Sequence, residues 1–292
     1  MAIASATDAE YRRADLHGKP AVQFENVSMG FDEGEVLRDV SFAVAERETL
    51  VLLGETGTGK TLTLKLAAGL LRPTAGRVQV LGEEVSAMSE RKLLEFRRKI
   101  GFVFQEGALF DSMTVEENVA FRLREESVDE SEIAPRVQEV LEFVELEHTL
   151  DLLPSELSGG MRRRVSIARA LVSRPEIVLY DSPTAGLDPV TAQTIITLIL
   201  RLRDSYGVTS LLATHRLQDG FALANFRFDN KEKSVQRVAQ EKADAVTRFI
   251  VYKHIPRANG NGDESFDNGI YFDGTPQEVL ASKDPYIRRF LV

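Results

Sequence analysis

The chain contains no cysteine. Disulfides, thiolate metal sites and cysteine nucleophiles are thereby excluded, and a reducing compartment, by default the cytosol, is compatible with the sequence. There is no apolar run near the roughly 18–20 residues that span a bilayer. Asp8, Glu10, Arg12, Arg13 and Asp15 stand where a secretory signal would need an apolar core. Any attachment to a membrane is therefore expected to run through a partner. Basic charge is in deficit: 36 Lys and Arg against 45 Asp and Glu leave a formal net charge of −9. A sequence-independent nucleic-acid binder needs a basic surface to displace counterions from phosphates, so no nucleic acid is expected as a partner. What is present is enough for a substantial core, with 43% apolar residues in a chain of 292, in one large or two modest domains.

Residues 22–27, 36–44 and 49–53 alternate or cluster apolar side chains as strands do. After a glycine-rich stretch, Leu62, Leu64, Leu66, Ala67 and Leu70 form a mostly apolar helix expected to stop near Arg72-Pro73. Residues 115–147 read as mainly helical, with Ile133, Val137, Val140, Leu141 and Val144 on one face. A helix over 160–172, a buried strand over 177–180, a helix over 190–203 and a strand over 208–213 come next. Alternating strand and helix predict an α/β fold with a parallel sheet covered on both faces. Residues 1–20 read as a disordered tail. The stretch 229–269 reads as a polar insertion with mobile loops, interrupted by one strand-like run over 246–252.

The run Gly54-Glu55-Thr56-Gly57-Thr58-Gly59-Lys60-Thr61 fits GxxxxGK[ST], with a strand before it and a helix after it. Glycines let backbone N–H groups converge on phosphates, and the helix N-terminus adds the positive end of its dipole. Gly54 through Leu62 are thus the candidate residues for binding a nucleoside triphosphate, ATP with Mg²⁺. Lys60 is expected on the β- and γ-phosphates and Thr61 on Mg²⁺. Asp181, at the end of the buried strand, is expected as the second metal contact.

Leu157-Ser158-Gly159-Gly160-Met161 opens a helix, and a serine with two glycines at a helix N-terminus suits an anion. In this order the segment resembles the signature of the ATP-binding cassette (ABC) ATPases. The resemblance implies a P-loop ABC ATPase fold: a RecA-like parallel core, an antiparallel β subdomain and an inserted helical subdomain. The corresponding boundaries are 21–105 and 158–228 for the ATPase core, 106–157 for the helical subdomain and 270–292 for the end of the ATPase domain. It further implies that Ser158, Gly159 and Gly160 contact ATP held by a second cassette subunit, expected to be an identical chain. By the same likeness Gln105 contacts Mg²⁺ and the attacking water, Asp188 crosses the dimer interface, His215 reaches the γ-phosphate and Phe31 stacks on adenine. Phe31 suits strand packing equally well.

Residues 101–121, Met161, Phe272-Asp273-Gly274-Thr275-Pro276 and residues 284–291 look like the subgroup serving Mla and Mce-type lipid transporters. That likeness implies an integral-membrane permease as partner, received by an apolar patch of Ala108, Leu109, Phe110 and Met113. The protein would be cytoplasmic and peripheral to the inner face of the cell membrane. Arg162, Arg163 and Arg164 read as a solvated or interface face. One position departs from the family pattern: Ser182 stands where a glutamate polarises the attacking water. Losing a positioned base costs about 10²–10⁴-fold in rate, so Ser182, Gln105 and His215 are the residues left around the reacting water. The sequence thus supports two readings, an energising transporter subunit and a slow ATP-dependent regulatory or assembly clamp.

Overall fold

The computed structural model describes residues 20–31, 34–238, 246–257 and 265–291; the expected tail falls outside them except for Pro20. Two long strands, β1 (Pro20–Phe31) and β2 (Gly34–Ala45), pair antiparallel. Then come β3 (Thr49–Leu53), α1 (Lys60–Ala67), β4 (Ala75–Val80), β5 (Glu83–Glu84), α2 (Glu90–Arg97) and β6 (Ile100–Val103). Helices α3 (Val115–Glu125), α4 (Glu130–Phe143) and α5 (Gly159–Leu171) lead to β7 (Ile177–Asp181), α6 (Pro189–Tyr206), β8 (Thr209–Thr214) and α7 (Leu217–Asn225). A hairpin of β9 (Phe226–Asp229) and β10 (Ser234–Arg237) precedes β11 (Thr247–Arg257), β12 (Ser265–Gly274), α8 (Pro276–Ala281) and α9 (Pro285–Arg288).

Four strands form an antiparallel sheet in the order β2-β1-β4-β5, and six form a sheet in the order β12-β11-β3-β8-β7-β6. The larger sheet is parallel except for β12. β3, β7 and β8 are buried along their whole length, as strands covered on both faces must be. Alternate side chains of β3 divide between two cores. Leu50 and Leu52 join the antiparallel sheet and α1 on one side, while Val51 and Leu53 join α3, α5 and α6 on the other.

Two expectations are corrected. Helix α1 stops at Ala67, well before the proline. Gly69, with φ 63, lets its own N–H reach Leu66 O and the Leu70 N–H reach Lys65 O, the two bonds that close a left-handed glycine cap. The stretch 229–269 is also no single insertion. Its strand-like run is β11, parallel to β3 inside the sheet, with Phe249, Ile250, Val251 and Tyr252 fully buried. The polar composition around that quartet hides it in the sequence. Residues 239–245 and 258–264 of the same stretch lie outside the described residues.

Candidate nucleotide-binding site

Neighbouring strands of the large sheet end in step. Leu53 lies beside Thr214, Ala213 beside Asp181, and Tyr180 beside Val103. These strands run in one direction, so the segments that leave their C-terminal ends gather at one edge: the phosphate loop, His215, Ser182 and Gln105. Four motifs separated by up to 160 residues are brought together by register alone.

The loop enters α1 through Gly59, whose φ of 95 suits glycine and whose missing Cβ would lie 2.3 Å from Leu37 Cδ2. Glu55, Thr56 and Gly57 are exposed, and Thr58 is buried. Leu62 turns its side chain into the core, which leaves only its backbone for a phosphate. Lys60 is buried and donates to Gly54 O at 2.8 Å and Glu55 O at 2.7 Å, using two of its three N–H groups. Burial lowers its pKa to about 8, against the attraction of Asp181 and Glu55. A cation so placed is short of negative charge, which a phosphate supplies.

Thr61 Oγ1 donates to Asp181 Oδ1 at 3.0 Å. Burial holds the Asp181 carboxyl above its ordinary range, opposed by the Thr61 hydrogen bond and by Lys65 and Lys60. A hydroxyl and a desolvated carboxylate side by side fit a hard, oxygen-ligated cation such as Mg²⁺. Thr61 and Asp181 would hold it, with Gln105 exposed at the same edge. Bound there, Mg²⁺ would neutralise phosphate charge.

Ser182 has φ 47 and donates its N–H to Ala213 O at 2.8 Å, and its side chain adds a small downward pull on the Asp181 carboxyl. The turn beyond it is tied down by a residue that sequence reasoning misses. Asp219, 3% exposed, accepts from Thr184 Oγ1 at 2.5 Å and from Thr214 Oγ1 at 3.1 Å. It thus joins the turn after Asp181 to the strand end that carries His215. Only its place in a mostly apolar helix, four residues after that histidine, hints at this.

Ser158 caps α5 by accepting from Met161 N at 3.2 Å. The two signature glycines differ. A Cβ on Gly159 would find only ordinary contacts, at 3.9 Å and beyond, whereas one on Gly160 would meet Thr191 Cγ2 at 2.4 Å. Thr191 Oγ1 in turn donates to Asp188 Oδ2 at 2.5 Å, and Asp188 caps α6. These hydrogen bonds, first that of the Thr191 hydroxyl, hold the Asp188 carboxyl below its ordinary range. Ser158, Gly159, Asp188, Gln105 and His215 are all exposed, and Phe31, at the end of β1, is 54% exposed rather than packed in the core.

Of the three arginines read as a solvated or interface face, Arg162 is exposed, Arg164 is half-buried and Arg163 is buried. Arg162 donates to Leu157 O at 2.6 Å and Arg164 to Val144 O at 2.9 Å. Arg163 is buried and donates to Phe104 O at 2.8 Å, to Gln105 O and to Ala185 O at 3.3 Å. One guanidinium therefore connects the signature helix to the backbone of Gln105 and to the turn that leads to Asp188.

A family model described as ABC transporter matches residues 37–185. The methionine import ATP-binding protein MetN 2 of Bacillus cereus is 33% identical over 264 residues, covering 89% of this chain and 75% of that protein. The molybdate/tungstate import ATP-binding protein WtpC of Pyrococcus horikoshii is 34% identical over 248 residues, covering 82% and 70%. Among solved structures, the dimeric post-hydrolysis state of the ATP-binding cassette MJ0796 bound to ADP and Pi has a TM-score of 0.69 at 28% identity, covering 87% and 98%. The cbiO1 protein of Clostridium perfringens, part of the cbiONQ transporter complex, also has a TM-score of 0.69, at 25% identity and covering 91% and 92%. On these likenesses the chain belongs to the ABC transporter family as an ATP-binding subunit, an ATPase that uses ATP with Mg²⁺.

Proposed function

We propose that two copies of this chain close around two ATP molecules and, docked on a membrane permease, drive transport. The observation that carries this reading is the division of the site. Lys60 and Asp181 are buried beside Thr61 within one chain, whereas Ser158, Gly159 and Asp188 stand exposed on other elements. In such a pair Lys60 and the loop would hold the phosphates, and the partner's signature helix would cover the γ-phosphate. His215 and Gln105 would orient water. Phe31, exposed at the end of β1, would stack on adenine.

A cleft of about 400 Å³ supports the permease contact; Phe102, Phe104, Ala108, Phe110, Phe121 and Arg169 line it. Phe110 is 41% exposed against Phe121, and Arg169 fixes the cleft wall by donating to Ala108 O and Gly107 O. Leu109 and Met113, expected in the same patch, are half-buried. Among the described residues no helix is long and apolar enough to cross a membrane, so the permease would also provide the attachment to the inner face. For the cargo, the likeness of residues 101–121 and 284–291 to Mla and Mce-type subunits supports a lipid. The methionine and molybdate/tungstate importers among the relatives support a second reading, a small polar solute. Phospholipid recovered with the purified permease complex favours the first, and a complex that binds only polar solutes overturns it.

Ser182 supports slow turnover on this site, since a serine hydroxyl cannot accept the proton of the attacking water at neutral pH. Ser182→Glu is expected to raise steady-state hydrolysis by about 10²–10⁴-fold. A native chain as fast as that variant would remove the clamp-like element of this reading. Analytical ultracentrifugation tests the pair itself. MgATP should convert monomer to dimer, and a chain that binds ATP yet stays monomeric overturns the shared site.

A further inference from the structure

β11 runs on past the end of its neighbour. Val251 is the last residue paired with β3, beside Leu53, so Lys253 and His254 pass alongside the loop that leaves β3. β12 brings Asn268 opposite His254. The His254 ring lies with Nδ1 2.6 Å from Asn268 Oδ1 and Nε2 3.3 Å from Thr56 O. Asn268 Nδ2 donates to Gly57 O at 3.2 Å. A Cβ on Gly57 would meet His254 Cε1 at 3.7 Å, so the ring is seated against the outside of the loop. Because the Asn268 amide turns its nitrogen to Gly57, its oxygen faces the ring and can only accept. The Thr56 carbonyl can also only accept. Both ring contacts are hydrogen bonds only in the imidazole form that carries two N–H groups.

A trans peptide holds its C=O and N–H in opposite directions. Holding Thr56 O outward aims the Gly57 N–H at the inside of the loop. Holding Gly57 O outward does the same for the Thr58 N–H, which is only loosely bonded, at 3.4 Å, to Glu55 O. Convergent N–H groups are what an anion cradle requires.

We propose that His254 and Asn268 are positioning residues that brace the phosphate loop from outside, and that the brace grips hardest when the imidazole is doubly protonated. This rests on the reading of the loop as the ATP site. Among the described residues, the charged and titratable groups that line the cleft beside the ring are Glu55 of the loop, Lys253 of its own strand, Tyr271 of β12, and Asp284, Tyr286 and Arg289 in and around α9. Both carboxylates are engaged elsewhere: Glu55 faces Arg289 at 3.7 Å, and Asp284 accepts from the Tyr271 hydroxyl at 2.6 Å. Lys253 lies over the Tyr271 ring at 4.0 Å.

The test is equilibrium binding of a fluorescent ATP analogue with Mg²⁺ to the full chain, between about pH 5.5 and 7.5, where imidazole changes charge. ATP and Lys60 titrate alike in every variant, so the readout is the difference between proteins. Native affinity should fall roughly 3- to 10-fold more across this range than that of His254→Gln, which keeps one N–H for Thr56. His254→Ala and Asn268→Leu should bind roughly 10-fold more weakly at the acid end, with flattened profiles. Identical pH profiles for native and His254→Gln overturn the proposal, as does native-like affinity in His254→Ala. A fall in the nucleotide-free melting temperature with affinity unchanged marks a merely structural role and overturns it too. Lys60→Met is measured in parallel: if it binds like the native chain the loop reading itself fails, and if it does not, any failure belongs to the brace.

Discussion

The phosphate loop with Asp181 and the signature helix with Asp188 both present small polar residues at helix N-termini, yet they are built in opposite ways. The first is sunk at the edge of the sheet, with a buried cation and a buried carboxylate whose pKa values burial displaces. Burial disfavours the charged form of both groups, a cost that a bound phosphate and a bound cation would offset. The second is exposed, and Ser158 and Asp188 are already satisfied as caps by the N–H groups of their own helices. It folds at no cost and offers only what remains open, the surface at Gly159. One half displaces charge within the chain; the other stays open at the surface, as the proposed pairing with a second copy requires.

The sharpest way to break this comparison is to remove the buried cation. Lys60→Met should lower MgATP affinity more than about 100-fold, as loss of a charge-assisted phosphate contact does, and at the same time raise the melting temperature of the nucleotide-free protein. The sign comes from Lys60 itself. Its folded pKa of about 8 lies below the ordinary 10.5, so the folded state disfavours the charged form. That cost, on the order of 3 kcal/mol, is complete below pH 8 and is relieved as pH rises towards the unfolded value. Urea unfolding between pH 7 and 10 should therefore show native stability rising with pH, and a flatter profile for Lys60→Met.

On the exposed half, Ser158→Arg should leave ATP affinity of the monomer within about 2-fold while abolishing the ATP-dependent dimer, read by ultracentrifugation, because a cap is worth only about 1 kcal/mol. Equal loss of both would mean that the two halves are not separable. Asp219→Ala, at the tie between the turn after Asp181 and the end of β8, should destabilise by about 1–3 kcal/mol in thermal or urea unfolding by leaving the Thr184 and Thr214 hydroxyls without their acceptor. Gly160→Ala should have the smallest effect, about 1–2 kcal/mol by the same measurement, as its Cβ displaces Thr191 from Asp188.

Much of this is legible in the sequence because it is local. TLVLL, IVLYD and TSLLAT each carry an unbroken run of three or four apolar residues, which marks them as central strands, and the structure buries all three from end to end. GxxxxGK[ST] between a strand and a helix carries its own chemistry. The stop of α1 is easily misplaced because proline is the more visible terminator, although Gly69 meets the geometric need four residues earlier. Three consecutive arginines look alike as letters, but successive residues on a helix point about 100° apart, so Arg162, Arg163 and Arg164 reach three different sets of carbonyls. β11 reads as a strand inside an insertion because its charged flanks obscure four buried residues.

The sequence by itself determined the phosphate loop, the carboxylate at Asp181, the signature N-terminus and the absence of a carboxylate at Ser182, since each depends on residue type and on spacing of a few positions. Only the tertiary structure decided that Arg163 joins Gln105 to the turn before Asp188, that Asp219 locks Thr184 to Thr214, and that His254 and Asn268 stand behind the loop. Those contacts join residues up to about 200 positions apart, and their hydrogen bonds depend on strand register and helix rotation, which the fold as a whole sets.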